Sequence, residues 1–452
     1  MSGSPLLGDV ISPPSVLDPA QTGPQLLSGV SRRTSLAAVA ALAAPALTGR
    51  LRPIQLGRTY RSTGRSLGDL TGMLGANVIT STKSGPYGQQ AAVLQALRDI
   101  GATWIRTRIH TGNRGQVAWI NQLAASGIQV NGLVDLPGGK DSPEALVNMV
   151  ATSLPGAIWS LEGPNEWNLK GGAGWVSELV AHQTRLWNAA KGNTVTRNIP
   201  IVGPALGMRK GYTELGDRTS IMDWGNIHLY TGGYVPGYRT DGVLQGERIV
   251  CGSKPIIVTE TGWHNAAGWS GPHYYTPEDV AGLYAPRLLL EYFIRDVPKL
   301  SIYQLLDNPS APNAREQNFG LMHTDLSRKP AFQSLANLHT ILTRTYRTTG
   351  RPGQAAEFSF RGGPADLRSA LVDRGDGRRL LFLWRSEASV YEPKTRQRLT
   401  PTPATATIEW GQSSSIQYFA PATSANAVRS EVTSVSSVSL GAEMQILEVS
   451  PS

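Results

Sequence analysis

Cysteine is almost missing: Cys251 stands alone in 452 residues. One thiol excludes an intramolecular disulfide framework and any zinc site built from several cysteines. Charge is sparse too, at 17% against 40% hydrophobic residues, which excludes a disordered polyelectrolyte and calls for a packed body. No apolar run reaches about 18 residues, so a multi-pass membrane protein is excluded. No His-Glu-x-x-His or comparable ligand spacing occurs, so neither a catalytic metal nor a cofactor is expected. Basic residues are not bunched. The net charge is +9, yet no block of five Lys or Arg occurs, which argues against a nucleic-acid-binding stripe.

What is present begins with an address. Met1 to Val30 is rich in Pro, Gly and Ser without sustained periodicity. Arg32-Arg33 then precede an Ala/Leu/Val run to Leu47 that contains Ala44-Pro45-Ala46. A charged n-region, a short apolar core and a small-residue cleavage site make a signal peptide. The paired arginines resemble a twin-arginine export signal, although Ser35 and Ala37 stand where Phe and Lys are common. Residues 1–50 are read as this segment, which implies a periplasmic or secreted protein.

From about residue 70 to 345, short apolar runs alternate with segments of helical spacing. The strands expected are Met73–Ile79, Thr103–Ile109, Ile128–Asp135, Ala157–Glu162, Ile199–Leu206, Trp224–Tyr230, Pro255–Thr261 and Ser301–Asp307. Helical stripes are expected over Gln89–Ile100, Val117–Ala125, Val176–Ala190 and Pro277–Ile294, the last capped by Thr276. Eight strand–helix units of this size make a (β/α)8 barrel. The rival, an open dinucleotide-binding sheet, needs a Gly-x-Gly-x-x-Gly turn after the first strand; Ser81-Thr82-Lys83-Ser84-Gly85 is not one. Beyond a linker at Thr348–Gln354 the helical period vanishes. Runs such as Leu367–Val372, Arg379–Arg385 and Thr405–Trp410, with a turn at Asp373–Gly377, predict a β-sandwich. The expected division is therefore a barrel over 51–347 and a β-sandwich accessory domain over 348–452, in a monomer.

Chemistry in a barrel gathers at the C-terminal strand ends, where the loops share one mouth. The fourth strand leads into Gly163-Pro164-Asn165-Glu166-Trp167. The seventh runs Ile256-Ile257-Val258-Thr259-Glu260-Thr261-Gly262-Trp263. Two carboxyls facing each other across a mouth suit glycoside hydrolysis, with one holding a proton and the other ionised.

These two segments resemble the superfamily of retaining glycoside hydrolases whose catalytic glutamates lie on barrel strands four and seven, with family 39-like and family 5-like members the most similar. The resemblance covers roughly residues 70 to 345. It implies Glu166 as acid/base, Glu260 as nucleophile and Asn165 as a partner of the sugar 2-hydroxyl. It also implies His228 and Tyr230 beside the nucleophile, and an arginine from the second strand steadying it. Arg106 and Arg108 share a face at period two, and the choice between them stays open. His110, Trp167 and Trp263 are further candidates for substrate contact. Family members often carry a Trp at the end of strand eight; this chain has none there, and Tyr303 or Gln304 is expected to substitute. Glu162 could brace the site from behind. The implied activity is double-displacement hydrolysis of β-glycosidic bonds in a poly- or oligosaccharide. The same residues would serve a transglycosylase, and a barrel that only binds carbohydrate is a third reading.

Overall fold

The computed structural model describes residues 56–57, 59–60, 65–207, 211–271, 273–308, 314–344 and 357–450. The export segment and the expected linker lie outside the described residues.

Eight parallel strands form the barrel. They are β1 (Leu74–Asn77), β2 (Trp104–Arg108), β3 (Gln129–Leu133), β4 (Ile158–Glu162), β5 (Ile201–Val202), β6 (Gly225–His228), β7 (Ile256–Thr261) and β8 (Leu300–Ile302). They hydrogen-bond in the ring order β5-β4-β3-β2-β1-β8-β7-β6. A parallel bridge from Val202 to Trp224 joins β5 to β6 and closes the ring. Between and after them run α1 (Gln90–Asp99), α2 (Arg114–Ala125), α3 (Pro143–Ser153), α4 (Trp175–Gly192), α5 (Gly211–Leu215), α6 (Thr240–Cys251), α7 (Glu278–Phe293) and α8 (Pro330–Thr343). The (β/α)8 expectation is met. Among the described residues no helix is long and apolar enough to cross a membrane.

Several elements are shorter than the sequence pattern suggests, for local reasons. Pro200 and Gly203-Pro204 confine β5 to two residues, because neither proline can donate to a ladder. The eighth strand was expected to run to Asp307, but it stops at Ile302. Leu305 still bonds back to Asn77, while Gln304 and Asp307 pair their backbones with Phe319 and Met322. Gly320 lets these chains touch: a Cβ there would lie 2.1 Å from the Asp307 nitrogen. Thr276 does not cap α7. The helix starts at Glu278 behind Pro277, and the Thr276 hydroxyl has no hydrogen-bond partner among the described residues.

The C-terminal strands are β9 (Phe358–Gly362), β10 (Leu367–Asp373), β11 (Arg379–Arg385), β12 (Ala404–Ala420), β13 (Ser424–Leu440) and β14 (Gln445–Ser450). They form one continuous sheet rather than the two separate sheets of a sandwich. The cause is β12: it pairs with β9 near Trp410 and with β14 from Ser415 onward, its register slipping between Glu409 and Ser414. Phe358, Phe360, Leu381, Leu383, Ile408 and Leu447 from these strands form one buried apolar cluster. Residues 59–60 and 65–66, expected with the barrel, pair with β9 and β10 of this sheet.

Alternation along β11 joins the domains. Leu381 and Leu383 face the sheet's own core, whereas Leu380, Phe382 and Trp384 enter the core shared with the barrel. Trp384 donates its indole N–H to Glu291 of α7 at 2.6 Å. Arg287 of α7, fully buried, donates to the carbonyls of Arg385, Ala388 and Ala442. Cys251 is buried, as expected of a small apolar filler.

Candidate active site

The barrel interior carries polar side chains on strands that are otherwise rich in apolar residues. Asn77, Arg106, Asn131, Glu162, Asn226, Thr259 and Glu260 are all buried. Burying so many polar groups is costly unless each finds a partner, and Arg106 is the hub that supplies them. Its Nε and Nη2 grip Glu162 at 2.9 and 2.7 Å. Its Nη1 donates to Asn77 at 3.0 Å and to Glu260 at 2.5 Å. Nη2 also reaches Asn165 Oδ1 at 2.7 Å. Burial alone would pull the guanidinium's pKa down, but the Glu162 and Glu260 carboxylates outweigh it and hold Arg106 firmly protonated. The choice between the two arginines is thus settled: Arg108 turns aside to Asp135 at 2.7 Å.

Glu162 is the rear anchor. It accepts from Arg106, from Asn131 at 2.6 Å, from Asn226 at 3.1 Å and from Thr259 at 3.1 Å. Asn77, Asn131 and Thr259 escaped the sequence reading. The signal was there: an asparagine inside an apolar barrel strand cannot be accommodated without a network.

Glu260 ends β7 with its carboxylate fixed at both oxygens. Arg106 takes Oε1, and the Tyr230 hydroxyl donates to Oε2 at 2.6 Å. Burial would raise its pKa, but His228, Arg106 and the two hydrogen bonds reverse this and hold it below the ordinary carboxylate value. Glu260 is therefore ionised, as a nucleophile must be. The Tyr230 phenol is pushed well above its usual value by burial and by Glu260, so it stays a donor.

Glu166 follows the β4 turn in a left-handed conformation, φ 48° and ψ 41°. Such strain in a non-glycine residue persists only where surroundings over-determine it. Here the Glu166 backbone N–H is held by Ala205 at 3.0 Å. Gly207 leaves room for the side chain, since a Cβ there would lie 3.1 Å from the Glu166 carboxyl carbon. His228 lies between the two acids: Nδ1 is 2.8 Å from Glu166 and 3.6 Å from Glu260, and Nε2 is 2.9 Å from Thr259. Burial would lower the imidazole pKa, but Glu260 and Glu166 overcome it and raise it. One ligand-type atom each from Glu166, His228 and Glu260 falls within 4.8 Å of the others. Such a trio could in principle share an ion, but a cation there would meet the Arg106 guanidinium already on Glu260. The donor set suits proton transfer and nucleophilic attack better.

The other expected residues divide. Tyr303 is buried beneath Tyr230, with ring centroids 6.3 Å apart, and both pack on Phe319. Gln304, also buried, accepts from the Tyr87 hydroxyl at 3.2 Å. The Tyr303–Gln304 peptide is cis. His110 stands at the rim, 3.5 Å from Asp141. Trp167 is half-buried and donates its N–H to Glu178 at 2.9 Å. Trp263 is only 5% exposed, bonds Thr231 at 3.0 Å and packs on Tyr284, which leaves little face for a sugar. Its place after the nucleophile strand suggested stacking, but the chain has already turned into the core there.

No protein-family model matches the sequence, and a search of curated proteins gives no match. Solved structures do match. A family 39 glycoside hydrolase from Bacteroides cellulosilyticus superposes with a TM-score of 0.59 at 14% identity, over 84% of this chain and 82% of that one. A monomeric β-xylosidase from Caulobacter crescentus gives 0.55 at 14% identity, over 86% and 98%. A glucosidase from Croceicoccus marinus gives 0.55 at 11% identity, over 87% and 98%. Identities this low establish the shared fold, a (β/α)8 barrel followed by an antiparallel sheet; the chemistry has to be argued from the residues.

Proposed function

We propose that this chain is a retaining glycoside hydrolase acting on β-glycosides of a poly- or oligosaccharide. One observation carries the reading. Carboxyl oxygens of Glu166 and Glu260, from the ends of β4 and β7, lie within 4.8 Å of each other. Retaining enzymes need carboxyls about 5–5.5 Å apart, and inverting enzymes need roughly 6.5–9.5 Å to fit a water.

The proposed reaction has two steps. Ionised Glu260 attacks the anomeric carbon while Glu166 gives its proton to the departing glycosidic oxygen. A glycosyl ester on Glu260 results. Water then attacks that carbon, Glu166 takes its proton, and Glu260 leaves as carboxylate. Asn165 has its Oδ1 occupied by Arg106, which leaves Nδ2 to donate to a sugar 2-hydroxyl. The acid/base proton can also be shared with His228, at 2.8 Å. Structures described as family 39 glycoside hydrolase, β-xylosidase and glucosidase share the fold and support this class.

The test uses 2,4-dinitrophenyl β-glycosides of xylose, glucose and arabinose. NMR should show the β-anomer of the free sugar first. Glu260→Ala should lose turnover, whereas Glu166→Ala should still release dinitrophenol and form a β-glycosyl azide when azide is added. An α-anomer as first product, or full activity in Glu260→Ala, overturns the assignment. Export through the twin-arginine-like segment, and action as a monomer, belong to the same proposal. Arg32→Lys/Arg33→Lys should strand the protein inside the cell, and light scattering should give one chain per particle.

A further inference from the structure

Trp263 ends the Thr259–Trp263 run that carries Glu260, yet it is buried and its indole is spent on the protein. Gly262, at φ 144°, permits the turn directly after β7. The indole N–H then donates to the Thr231 hydroxyl at 3.0 Å, and Thr231 is buried too. Thr231 follows Tyr230, whose hydroxyl donates to Glu260 Oε2 at 2.6 Å. On the other side of Tyr230, the Leu229 carbonyl accepts from the Thr261 hydroxyl at 2.7 Å, and the Leu229 N–H donates to the Glu260 carbonyl at 3.2 Å. Strand β6 ends at His228, so Tyr230 stands beyond the ladder and is tied to β7 and its turn through both neighbouring residues. The Trp263 ring is fixed in turn. It packs on Tyr284 of α7, with ring centroids 6.2 Å apart. The Tyr284 hydroxyl lies 3.0 Å from Ser389 Oγ and accepts from the Val390 N–H at 3.3 Å, both in the second domain.

A hydrogen bond weakens steeply as its angle opens. Keeping the phenol on one carboxylate oxygen therefore needs a backbone held from behind. Resting on the glycosidase reading above, we propose that Trp263 is a positioning residue: through Thr231 it holds the Tyr230 hydroxyl on the nucleophile Glu260. It acts on the reaction only through Tyr230. Loosening the Trp263–Thr231 bond weakens the Tyr230 bond to ionised Glu260 and so favours the protonated acid. The other ionisable groups facing Glu260 are Arg106 from β2, Glu166 from the β4 turn and His228 from β6, with the Tyr303 phenol packed behind Tyr230. The Trp263–Thr231 hydrogen bond involves none of them.

The test is a double-mutant cycle read on the pH profile of kcat/KM. The probe is whichever 2,4-dinitrophenyl β-glycoside of xylose, glucose or arabinose wild type cleaves fastest. Thr231→Val keeps the shape of the side chain but cannot accept the indole N–H. It should lower kcat/KM about two- to tenfold on the acid limb, the scale of one hydrogen bond, with little change at neutral pH. Trp263→Phe should act in the same direction, and Thr231→Ser, which keeps the hydroxyl, should restore the wild-type limb. In a Tyr230→Phe background, Thr231→Val should move the limb no further, because the hydroxyl it positions is gone. If Thr231→Val does not fold, Trp263→Phe carries the same cycle. An unmoved limb, with or without a lowered melting temperature, overturns the inference and leaves the hydrolase reading intact. A shift equally large with and without the Tyr230 hydroxyl does the same. Absence of turnover by wild type on all three glycosides overturns the underlying reading and the inference with it.

Discussion

Replacing Tyr230 with phenylalanine removes one oxygen and leaves the ring's packing in place, against Phe319 at 5.4 Å and His273 at 5.2 Å. The lost group is the hydroxyl 2.6 Å from Glu260 Oε2. A hydrogen bond to a charged acceptor contributes about 1.5–3 kcal/mol. It acts mainly on the ionised form, and about 1.36 kcal/mol corresponds to one pKa unit. The Glu260 pKa, held below the ordinary carboxylate value in part by this bond, should therefore rise in Tyr230→Phe. The sign is fixed: weakening the charged form of an acid raises its pKa, so protonation begins at higher pH. The assay is the pH profile of kcat/KM on an activated aryl β-glycoside, whose acid limb reports the nucleophile of the free enzyme. That limb should move upward, with a much smaller change at neutral pH, where Glu260 is ionised in both proteins. An acid limb that stays at the wild-type position, in a variant with unchanged melting temperature, would refute the argument.

Arg106→Met should leave Glu162 and Glu260 buried without their cation and cost about 3–5 kcal/mol, read as a lower urea midpoint; an unchanged midpoint would contradict the hub role. Gly262→Ala should lower the melting temperature by more than an ordinary surface change. That glycine has φ 144°, and a Cβ would sit 2.8 Å from the Tyr303 carbonyl oxygen, a misfit costing upwards of about 1 kcal/mol. Arg396→Ala acts from the other domain. Arg396 donates to the carbonyls of Ala267 and Trp269, in the loop that follows the nucleophile strand. Its loss should raise KM several-fold with kcat nearly unchanged, and equal loss in both would point to a catalytic rather than a positioning role.

The barrel and the two glutamates that meet at its mouth were legible because each obeys a short-range rule. Strand–helix alternation sets the architecture, and apolar strands ending in Asn165-Glu166 and Glu260 mark the mouth. What escaped depends on distant parts of the chain. Asn131 looks like a defect in β3 until Glu162 and Arg106 are seen beside it. Arg106 and Arg108 are indistinguishable by period; only the placement of Asp135 draws Arg108 away. Trp263 looked like a sugar platform because sequence cannot show where a turn enters the core. The single C-terminal sheet was hidden for a related reason. A strand whose register slips between Glu409 and Ser414, and which changes its second partner there, reads locally as two strands.

The short pairings at the start of the chain bear on the order of assembly. Residues 59–60 and 65–66 find their partners in β9 and β10, about 300 residues later, on the far side of the whole barrel. During synthesis the first barrel strand is made early, but the segment leading into it has nothing to pair with until the last domain emerges. Domains usually fold in the order they are made. Here the final stitch joins beginning to end, and it closes only when the C-terminal sheet exists. A chain cut short after α8 would leave that leading segment without its sheet, and the buried Arg287 without its four carbonyls. The barrel is therefore not a part that can be lifted out, and the second domain is the clasp that completes it.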